Sequence, residues 1–378
     1  MIYLDYAATT PITPEARDAL IWAIDNCRGN PSSRHFAGDQ ARVLLERARS
    51  TIAASVARPI KDVIFTASAT EALNLAIRGI VDRFPEPRPH IVVSATEHKA
   101  VLETVKALAA FQRASYSLVS PKSSGEVDPV ALARAVRPDT ALVIAMSVNN
   151  ETGVVNDISA IRREIGEDML LLSDAAQAIG RVSIEGACAS ADAVVLSSHK
   201  AGGPVGAAAL IASREFRRRI VPQLSGGGQE NAYRAGTEPV ALIHAMSVAI
   251  EAAIGMQSTN NLALRRTQER FERGLLALIP GGVIVGSSAV RSPHVTNMLL
   301  PNIEGEAVVS QLRAEVALSA GSACNGFSTE ASHVLTAMGY SRGLSLCSIR
   351  ASFDGLTTTA EVDTAVQRLG EVVHLCVN

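Results

Sequence analysis

The sequence has few of the residues with which proteins bind nucleic acids and membranes. Aromatic residues make up 4% of the 378 residues, and 35 basic residues are offset by 37 acidic ones. Base-stacking platforms and basic surfaces need more of both. No apolar run is long enough to span a bilayer, and the first residues lack the pattern of a signal peptide. We therefore expect a soluble, cytoplasmic protein that contacts neither nucleic acid nor membrane directly.

Cysteine is also scarce. The chain has five cysteines, which are Cys27, Cys188, Cys324, Cys347 and Cys376. An odd number of widely spaced cysteines is a poor disulfide framework, and none has the spacing of zinc ligands, so we expect no metal site. Cys324 differs from the others because it lies among small residues, between Gly321 and Gly326. Such a composition is typical of a mobile loop with an exposed thiol.

Short aliphatic runs alternate with helical patterns along the first two thirds of the chain. We predict strands at 63–65, 91–93, 142–144, 170–172, 194–196 and 207–211, with helices that include 42–56, 71–81 and 101–110. Continuously apolar strands separated by helices indicate an α/β fold with a mostly parallel sheet covered on both faces. After Ala253 we predict a junction at 255–261, a charged helix at 264–279 and a smaller α+β domain.

Polar side chains follow five of the predicted strands. The sequences after these strands contain Thr66–Glu71, Thr96–His98, Asn149–Gly153, Ser173–Gln177 and Ser197–Lys200. Open parallel sheets bind ligands beyond the carboxyl ends of their strands, so these segments predict one site.

Lys200 and Asp174 indicate the chemistry of that site. A lysine can form a Schiff base with pyridoxal phosphate, and an acidic partner keeps the ring nitrogen of that cofactor protonated. The helix start after Ser68, with Ser197 and His199, offers donors to its phosphate. Taken singly, Lys200 is equally well a surface lysine, and Asp174 is more typical of an N-cap for a helix that begins at Ala175. Their joint placement favours the cofactor site.

Further residues fit the same site. His98 could stack on the cofactor ring, and Gln177 and Asn150 could bind its phenolic oxygen or hold the substrate. The glycines at 226–228 lack the spacing of a dinucleotide-binding fingerprint.

As a set, these motifs resemble the NifS/IscS-like cysteine desulfurases, which are class-V, fold-type-I pyridoxal-phosphate enzymes with an aspartate aminotransferase-like fold. The matching segments run nearly from end to end: Tyr3–Thr10, Gly29–Ser33, Phe65–Glu71, Glu97–Val101, Val148–Gly153, Asp174–Gln177, Ser197–Lys200, Gly226–Glu230, Arg234–Thr237, Gly321–Cys324 and Ser348–Arg350. The resemblance implies a large cofactor-binding domain at 14–254. It implies a small domain at 1–13 and 255–378, which carries the cysteine loop at about 320–332.

The resemblance also implies roles for single residues. Lys200 would bind the cofactor covalently, Asp174 would pair with its ring nitrogen, and Gln177 would contact its phenolic oxygen. His98 would stack on the ring and assist proton transfer. The residues implied to hold the phosphate are Ala69, Thr70, Ser197 and His199. Thr237 would reach the phosphate of a neighbouring subunit, which implies a homodimer.

The implied substrate is L-cysteine. Arg350 would pair with its carboxylate, and Asn150 would contact cofactor or substrate. Lys200 would remove the Cα proton, and Cys324 would take the sulfur as a persulfide and release L-alanine. The sulfur would pass to an acceptor protein that serves iron–sulfur cluster assembly, tRNA thiolation or DNA phosphorothioation. The alternatives are a selenocysteine lyase or an aminotransferase of the same family, and a sulfur carrier without turnover.

Overall fold

The molecule is built around a seven-stranded sheet with a smaller four-stranded sheet beside it. A computed structural model describes residues 1–85, 88–300, 302–321 and 330–377. Its helices are α1 (Pro14–Asn26), α2 (Phe36–Ser55), α3 (Ala69–Arg83), α4 (Lys99–Ala110), α5 (Pro129–Ala135), α6 (Ile158–Ile165), α7 (Glu185–Ser190), α8 (Arg214–Arg218), α9 (Val240–Gly255), α10 (Gln257–Leu278), α11 (Gly305–Leu312), α12 (His333–Ala337), α13 (Arg342–Leu346) and α14 (Thr359–Val377). Its strands are β1 (Ile2–Tyr3), β2 (Val63–Thr66), β3 (His90–Ser94), β4 (Ser115–Val119), β5 (Thr140–Ile144), β6 (Leu171–Asp174), β7 (Ala193–Ser197), β8 (Ala208–Ala212), β9 (Val283–Ile284), β10 (Val295–Leu299), β11 (Val316–Ala317), β12 (Ser319–Ala320) and β13 (Ser348–Ser352).

The large sheet has the strand order β2-β8-β7-β6-β5-β3-β4. Only β8 runs antiparallel to its neighbours β2 and β7, so the expected mostly parallel α/β fold is confirmed. Each predicted strand is present, with bounds that differ by one or two residues. The prediction missed β4, a partly exposed edge strand in which Ser115 and Ser117 alternate with Tyr116 and Leu118, so no apolar run in it is longer than two residues.

Helices cover both faces of this sheet. Along β5, Leu142 and Ile144 pack into the core formed with α3 and α4. Val143, between them, packs into the opposite core with α2, α6 and α9. Burial on both faces explains why the central strands are continuously apolar rather than alternating.

A separate core joins the two ends of the chain. The four-stranded sheet has the order β12-β13-β10-β9, and α10, α11 and α14 pack against it. Phe271 of α10 and Phe353 meet edge to face in this core, with their ring centroids 5.2 Å apart. Leu4 is buried in the same core, and β1 pairs with β11.

The predicted junction at 255–261 is wrong in extent. Helix α9 ends at Gly255 and α10 begins at Gln257, with a bend of 71° between their axes. Residues 257–261 are polar, which suggested a loop, but they contain neither glycine nor proline and can continue as helix once Met256 has turned the chain. Within the described ranges, only this bent pair has the combined length and composition of a membrane span, and no single helix does.

A buried ion pair anchors the turn at Glu230, between α8 and α9. The guanidinium of Arg49 on α2 donates two hydrogen bonds to the carboxylate of Glu230, at 2.7 and 2.8 Å, and one to the carbonyl oxygen of Val63 at 2.9 Å. Glu230 also accepts from the backbone N–H of Phe65 at 2.8 Å. Glu230 is the first of three consecutive residues with positive φ. These hydrogen bonds therefore hold a backbone conformation that residues other than glycine rarely adopt.

We expect Glu230→Ala to lower the free energy of unfolding by about 3–5 kcal/mol, because it leaves the buried guanidinium of Arg49 with only the exposed Glu46 as a carboxylate partner. Glu46→Ala is the matched control, since Glu46 pairs with the same arginine but is 53% exposed. Glu46→Ala should lower the free energy of unfolding by less than about 1 kcal/mol. Denaturant unfolding of the cofactor-loaded protein measures both changes, and equal losses in the two variants would contradict this account.

Candidate active site

One cavity lies at the carboxyl ends of the parallel strands. Its volume is about 390 Å³. The site residues from the sequence that line it are Ala69, Thr70, His98, Asn150, Asp174, Gln177, Ser197, His199, Lys200 and Arg350. Thr237 is exposed and does not line this cavity. Cys324 lies outside the described residues, but Gly321, which precedes it, lines the cavity.

Lys200 lies in a short 3₁₀ turn directly after β7. Its Nζ donates hydrogen bonds to the carbonyl oxygens of Ala7 at 2.6 Å and Ala8 at 2.5 Å. Thr10 Oγ1 donates to the carbonyl oxygen of Lys200 at 3.3 Å. The amino-terminal segment therefore crosses the cavity beside the lysine.

Asp174 ends β6, and its side chain is buried. Oδ1 accepts a hydrogen bond from the backbone N–H of Ala176 at 3.0 Å. Burial raises the pKa of this carboxyl, while the Ala176 bond, His98 and Lys200 act in the opposite direction. A cationic ring nitrogen beside Asp174 would stabilise the carboxylate in this environment.

The start of α3 and the residues around Lys200 supply donors for an anion. Ser68 caps α3, with its Oγ accepting from the backbone N–H of Glu71 at 3.1 Å. The N–H groups of the following first turn have no partners within the helix. Burial, aided by Lys200, lowers the pKa of His199 to about 4, so its imidazole is neutral at pH 7. Neutral donors at a helix start suit a phosphate.

His98 caps α4. Its Nδ1 accepts a hydrogen bond from the backbone N–H of Ala100 at 3.1 Å, which leaves the proton of the neutral ring on Nε2. Burial lowers the pKa of His98, although Asp174 opposes this shift. A neutral ring with one fixed tautomer is suited to stacking on a flat ligand.

Arg350 lies on β13 and is held on several sides. Nη1 donates to the carbonyl oxygen of Asn150 at 3.0 Å, and Nη2 donates to Asp5 Oδ1 at 2.8 Å and Ser319 Oγ at 2.9 Å. Nε is buried with no hydrogen-bond partner. A carboxylate that pairs with both Nε and Nη2 must therefore displace Asp5 or Ser319.

The sequence reasoning missed Asp5 and Asn297, which also line the cavity. Asn297 lies on β10 directly opposite Arg350, and both atoms of its side-chain amide are buried without a partner. A single asparagine within an apolar strand was the available signal for Asn297. Asp5 belongs to a matching motif but carried no predicted role.

Glu97 is a buried carboxyl next to the cavity. Oε1 accepts from the backbone N–H of Met146 at 2.7 Å, and Oε2 is buried without a partner. Burial raises the pKa of Glu97 to about 8, with a further contribution from Asp174. The group is therefore mainly protonated at pH 7.

We expect Glu97→Gln to remove a pH-dependent part of the stability. In the wild type, the folded state keeps a proton that the unfolded state releases, so this contribution is present below about pH 4.5 and is lost as pH rises to about 8. The stability of the wild type relative to Glu97→Gln should fall with pH in that window, by up to about 1.4 kcal/mol per pH unit. Denaturant unfolding at several pH values measures it. The unfolding free energy of Glu103→Gln, which changes an exposed carboxyl of α4, should depend on pH in the same way as that of the wild type. If Glu97→Gln also shows the pH dependence of the wild type, the raised pKa of Glu97 is wrong.

The cavity fits pyridoxal phosphate in its donor set. It combines a lysine at a strand end, a buried carboxylate and neutral donors beside a helix start. These groups match the aldehyde, the ring nitrogen and the phosphate of that cofactor. Across the ranges that the structure covers, no group of three or more His, Cys, Asp or Glu side chains could hold a metal ion. Fold and site together are those of a pyridoxal-phosphate enzyme.

Comparison with known proteins identifies the family. The family model for class-V aminotransferases matches residues 2–365. The cysteine desulfurase IscS of Vibrio cholerae is 39% identical over 97% of this chain and 91% of its own length. A solved NifS-like protein superposes with a TM-score of 0.91 at 29% identity, over 99% of both chains. A solved structure of SspA in complex with cysteine has a TM-score of 0.82 at 29% identity, over 95% of this chain and all of that one.

The chain therefore belongs to the class-V aminotransferase family and, within it, to the NifS/IscS-like cysteine desulfurases. The resemblance seen in the sequence motifs is confirmed. Enzymes of this family depend on pyridoxal phosphate, which confirms the expected cofactor.

Proposed function

We propose that this enzyme takes sulfur from L-cysteine as a persulfide on Cys324, releases L-alanine and passes the sulfur to an acceptor protein. The observation that carries the proposal is the convergence of Lys200, Asp174 and Arg350 on one cavity, at whose wall the Cys324 segment begins. The similarity to SspA, solved with cysteine, supports the substrate. No feature of the described residues favours one acceptor over another.

Arg350 and Asn150 are proposed to hold the substrate. Arg350 brings a fixed guanidinium with an unpaired Nε to the cavity, and the carbonyl oxygen of Asn150 holds its Nη1. A substrate carboxylate can accept the hydrogen bond of this unpaired Nε. The contact would also fix the orientation of the amino acid in the cavity. Free cysteine, with a carboxylate, fits this arrangement better than a substrate without one.

Lys200 and the residues that bind the cofactor have separate roles in the reaction. Pyridoxal phosphate, when bound, withdraws electrons from the substrate Cα and so makes its proton acidic. Asp174 keeps the ring nitrogen protonated, Gln177 contacts the phenolic oxygen and His98 stacks on the ring. The residues proposed to hold the phosphate are Ala69, Thr70, Ser197 and His199. Lys200 Nζ is positioned to take the Cα proton when the substrate occupies the cavity.

Cys324 is proposed to take the sulfur. Its thiolate attacks the sulfur of the substrate, the bond between that sulfur and the substrate Cβ breaks, and Cβ gains a proton. Cysteine and the enzyme thiol are thereby converted to alanine and an enzyme persulfide. Gly321, three residues before Cys324 in the sequence, lines the cavity. Beyond the segment, Ser332 Oγ donates to Glu151, which lines the same cavity. The described residues Gly321 and Ser332, which precede and follow Cys324 in the sequence, thus both lie beside the site.

We also propose the division into a large domain at 14–254 and a small domain at 1–13 and 255–378. The separate core that joins Leu4 to α10 and α14 supports it. The described residues of the loop at about 320–332, which are those up to Gly321 and those from Glu330 onward, then belong to the small domain.

A homodimer is proposed on two grounds. Thr237 is exposed and lies outside its own cavity, as expected if it serves a second subunit. Trp22 and Val205 are 52% and 72% exposed. Trp22 contacts His244 of α9, and Val205 directly precedes Gly206, which lies beside Leu242 of the same helix. An apolar face of this kind is typical of an interface between subunits.

Cys324→Ser should lower alanine production from L-cysteine by at least about a hundredfold, because the sulfur nucleophile is lost. The cofactor absorption should remain, since Cys324 does not hold the cofactor. The wild type with a reductant should yield equal amounts of alanine and sulfide, and mass spectrometry should find the added sulfur on Cys324. Cys376→Ser, at an exposed cysteine of α14, is the control.

Other outcomes of the same assay would overturn the proposal. Full activity of Cys324→Ser would exclude the persulfide at this position. Alanine formed only from selenocysteine would indicate a selenocysteine lyase, and a requirement for a keto acid would indicate an aminotransferase.

For the dimer, we expect a double substitution, Trp22→Glu with Val205→Glu, to convert a sedimenting dimer into monomers. The monomers should bind pyridoxal phosphate more weakly because Thr237 of a second copy is then missing. Phe111→Glu, which changes a 78% exposed apolar residue at the end of α4, should leave the dimer intact. A wild type that sediments as a monomer would contradict the proposal.

A further inference from the structure

A buried histidine behind the cavity fixes the direction of the Gln177 side chain. We propose that His294 is a positioning residue that makes Gln177 present an N–H group, rather than its carbonyl oxygen, to the phenolic oxygen of the cofactor. The inference rests on the proposed contact between Gln177 and that oxygen. His294 itself does not line the cavity, so it acts only through Gln177.

The orientation follows first from Ala7. The side-chain nitrogen of Gln177, Nε2, donates to the carbonyl oxygen of Ala7 at 2.8 Å. A backbone carbonyl oxygen can only accept, so the nitrogen and not the oxygen of the amide must face it. The side-chain oxygen, Oε1, is then directed to the other side of the amide, where His294 lies.

The second constraint comes from His294. Its Nε2 lies 3.1 Å from Gln177 Oε1 and must therefore carry the proton of this hydrogen bond. Its Nδ1 lies 2.6 Å from Ser292 Oγ, so in the neutral ring Nδ1 accepts from the serine hydroxyl. Ser292, His294, Gln177 and Ala7 thus form one chain of hydrogen bonds with a single consistent direction.

The surroundings keep the ring in this form. His294 is 1% exposed, and burial lowers its pKa well below the usual value, with Arg181, Arg350 and Lys200 acting in the same direction. A neutral ring has one N–H, and Ser292 leaves that proton on Nε2. A reversed Gln177 amide would bring two oxygens together at Ala7 and two N–H groups together at His294, which is unfavourable on both sides.

The consequence lies in the remaining N–H of Gln177. One of its two amide hydrogens is bound to Ala7, and the side chain lines the cavity, so the other hydrogen is available to a ligand there. The phenolic oxygen of pyridoxal phosphate carries negative charge and needs a donor. A hydrogen bond to a charged group favours the charged form, so this contact should lower the pH at which the bound cofactor loses its proton.

The test compares His294→Leu with His294→Gln in the cofactor-loaded protein. The leucine removes the donor to Gln177, whereas glutamine can supply an N–H at the position of Nε2. The readouts are the pH dependence of the bound cofactor's absorption and the dissociation constant of pyridoxal phosphate. His294→Leu should raise the transition by about one pH unit and weaken cofactor binding about tenfold, and His294→Gln should restore most of both.

His90→Leu is the matched control for a merely structural effect. His90 is equally buried at the start of β3, with hydroxyl groups of Thr140 and Ser117 at 2.8 and 2.9 Å from its ring nitrogens. It should lose stability without a shift of the absorption transition. An unshifted transition in folded His294→Leu, or an equal shift in His90→Leu, would overturn the inference.

Gln177→Leu separates this inference from the proposed function. If Gln177→Leu shifts the transition and His294→Leu does not, Gln177 keeps its role and His294 has none. If Gln177→Leu also has no effect, the contact on which the inference rests is absent and the inference fails with it. A wild type that does not bind pyridoxal phosphate would overturn the proposed function itself.

Discussion

Burial of the Asp174 carboxyl at the end of a parallel strand constrains the whole site. Taking a carboxylate out of water is costly unless a positive group or several donors compensate it. Here the backbone N–H of Ala176 donates a hydrogen bond to Asp174, and His98 and Lys200 lower the pKa of the carboxyl at longer range. The pKa of Asp174 nevertheless remains raised by burial. The cationic ring nitrogen that we propose beside Asp174 would compensate this carboxylate. Lys200 and the start of α3 line the same cavity, where we propose that they bind the aldehyde and the phosphate of the same cofactor.

The amino-terminal segment connects this site to the smaller sheet. The carbonyl oxygen of Ala7 accepts hydrogen bonds from both Lys200 and Gln177, and Asp5 accepts from Arg350. Leu4 is buried in the core of the smaller sheet. A few residues therefore hold the lysine, the glutamine and the arginine in a common frame.

The sequence was informative where the physical signal is local. Buried strands are continuous apolar runs, and polar residues directly after them marked Asp174, Gln177 and Lys200 as neighbours. Contacts between residues that are far apart in the sequence could not be predicted. Asp5 and Arg350 are separated by 345 residues and Gln177 and His294 by 117, and neither pairing leaves a local pattern. Edge strand β4 and the first turn of α10 were missed because their polarity matches that of loops.

The protonation state of the cofactor's ring nitrogen tests the central claim most directly. Pyridoxal phosphate labelled at that nitrogen can be bound to the wild type and to Asp174→Ala and followed by nitrogen NMR at neutral pH. The account predicts a protonated nitrogen in the wild type and a neutral one in the variant, because only the buried carboxylate stabilises the cation. A neutral nitrogen in the wild type, or the same protonated nitrogen in both proteins, would contradict it.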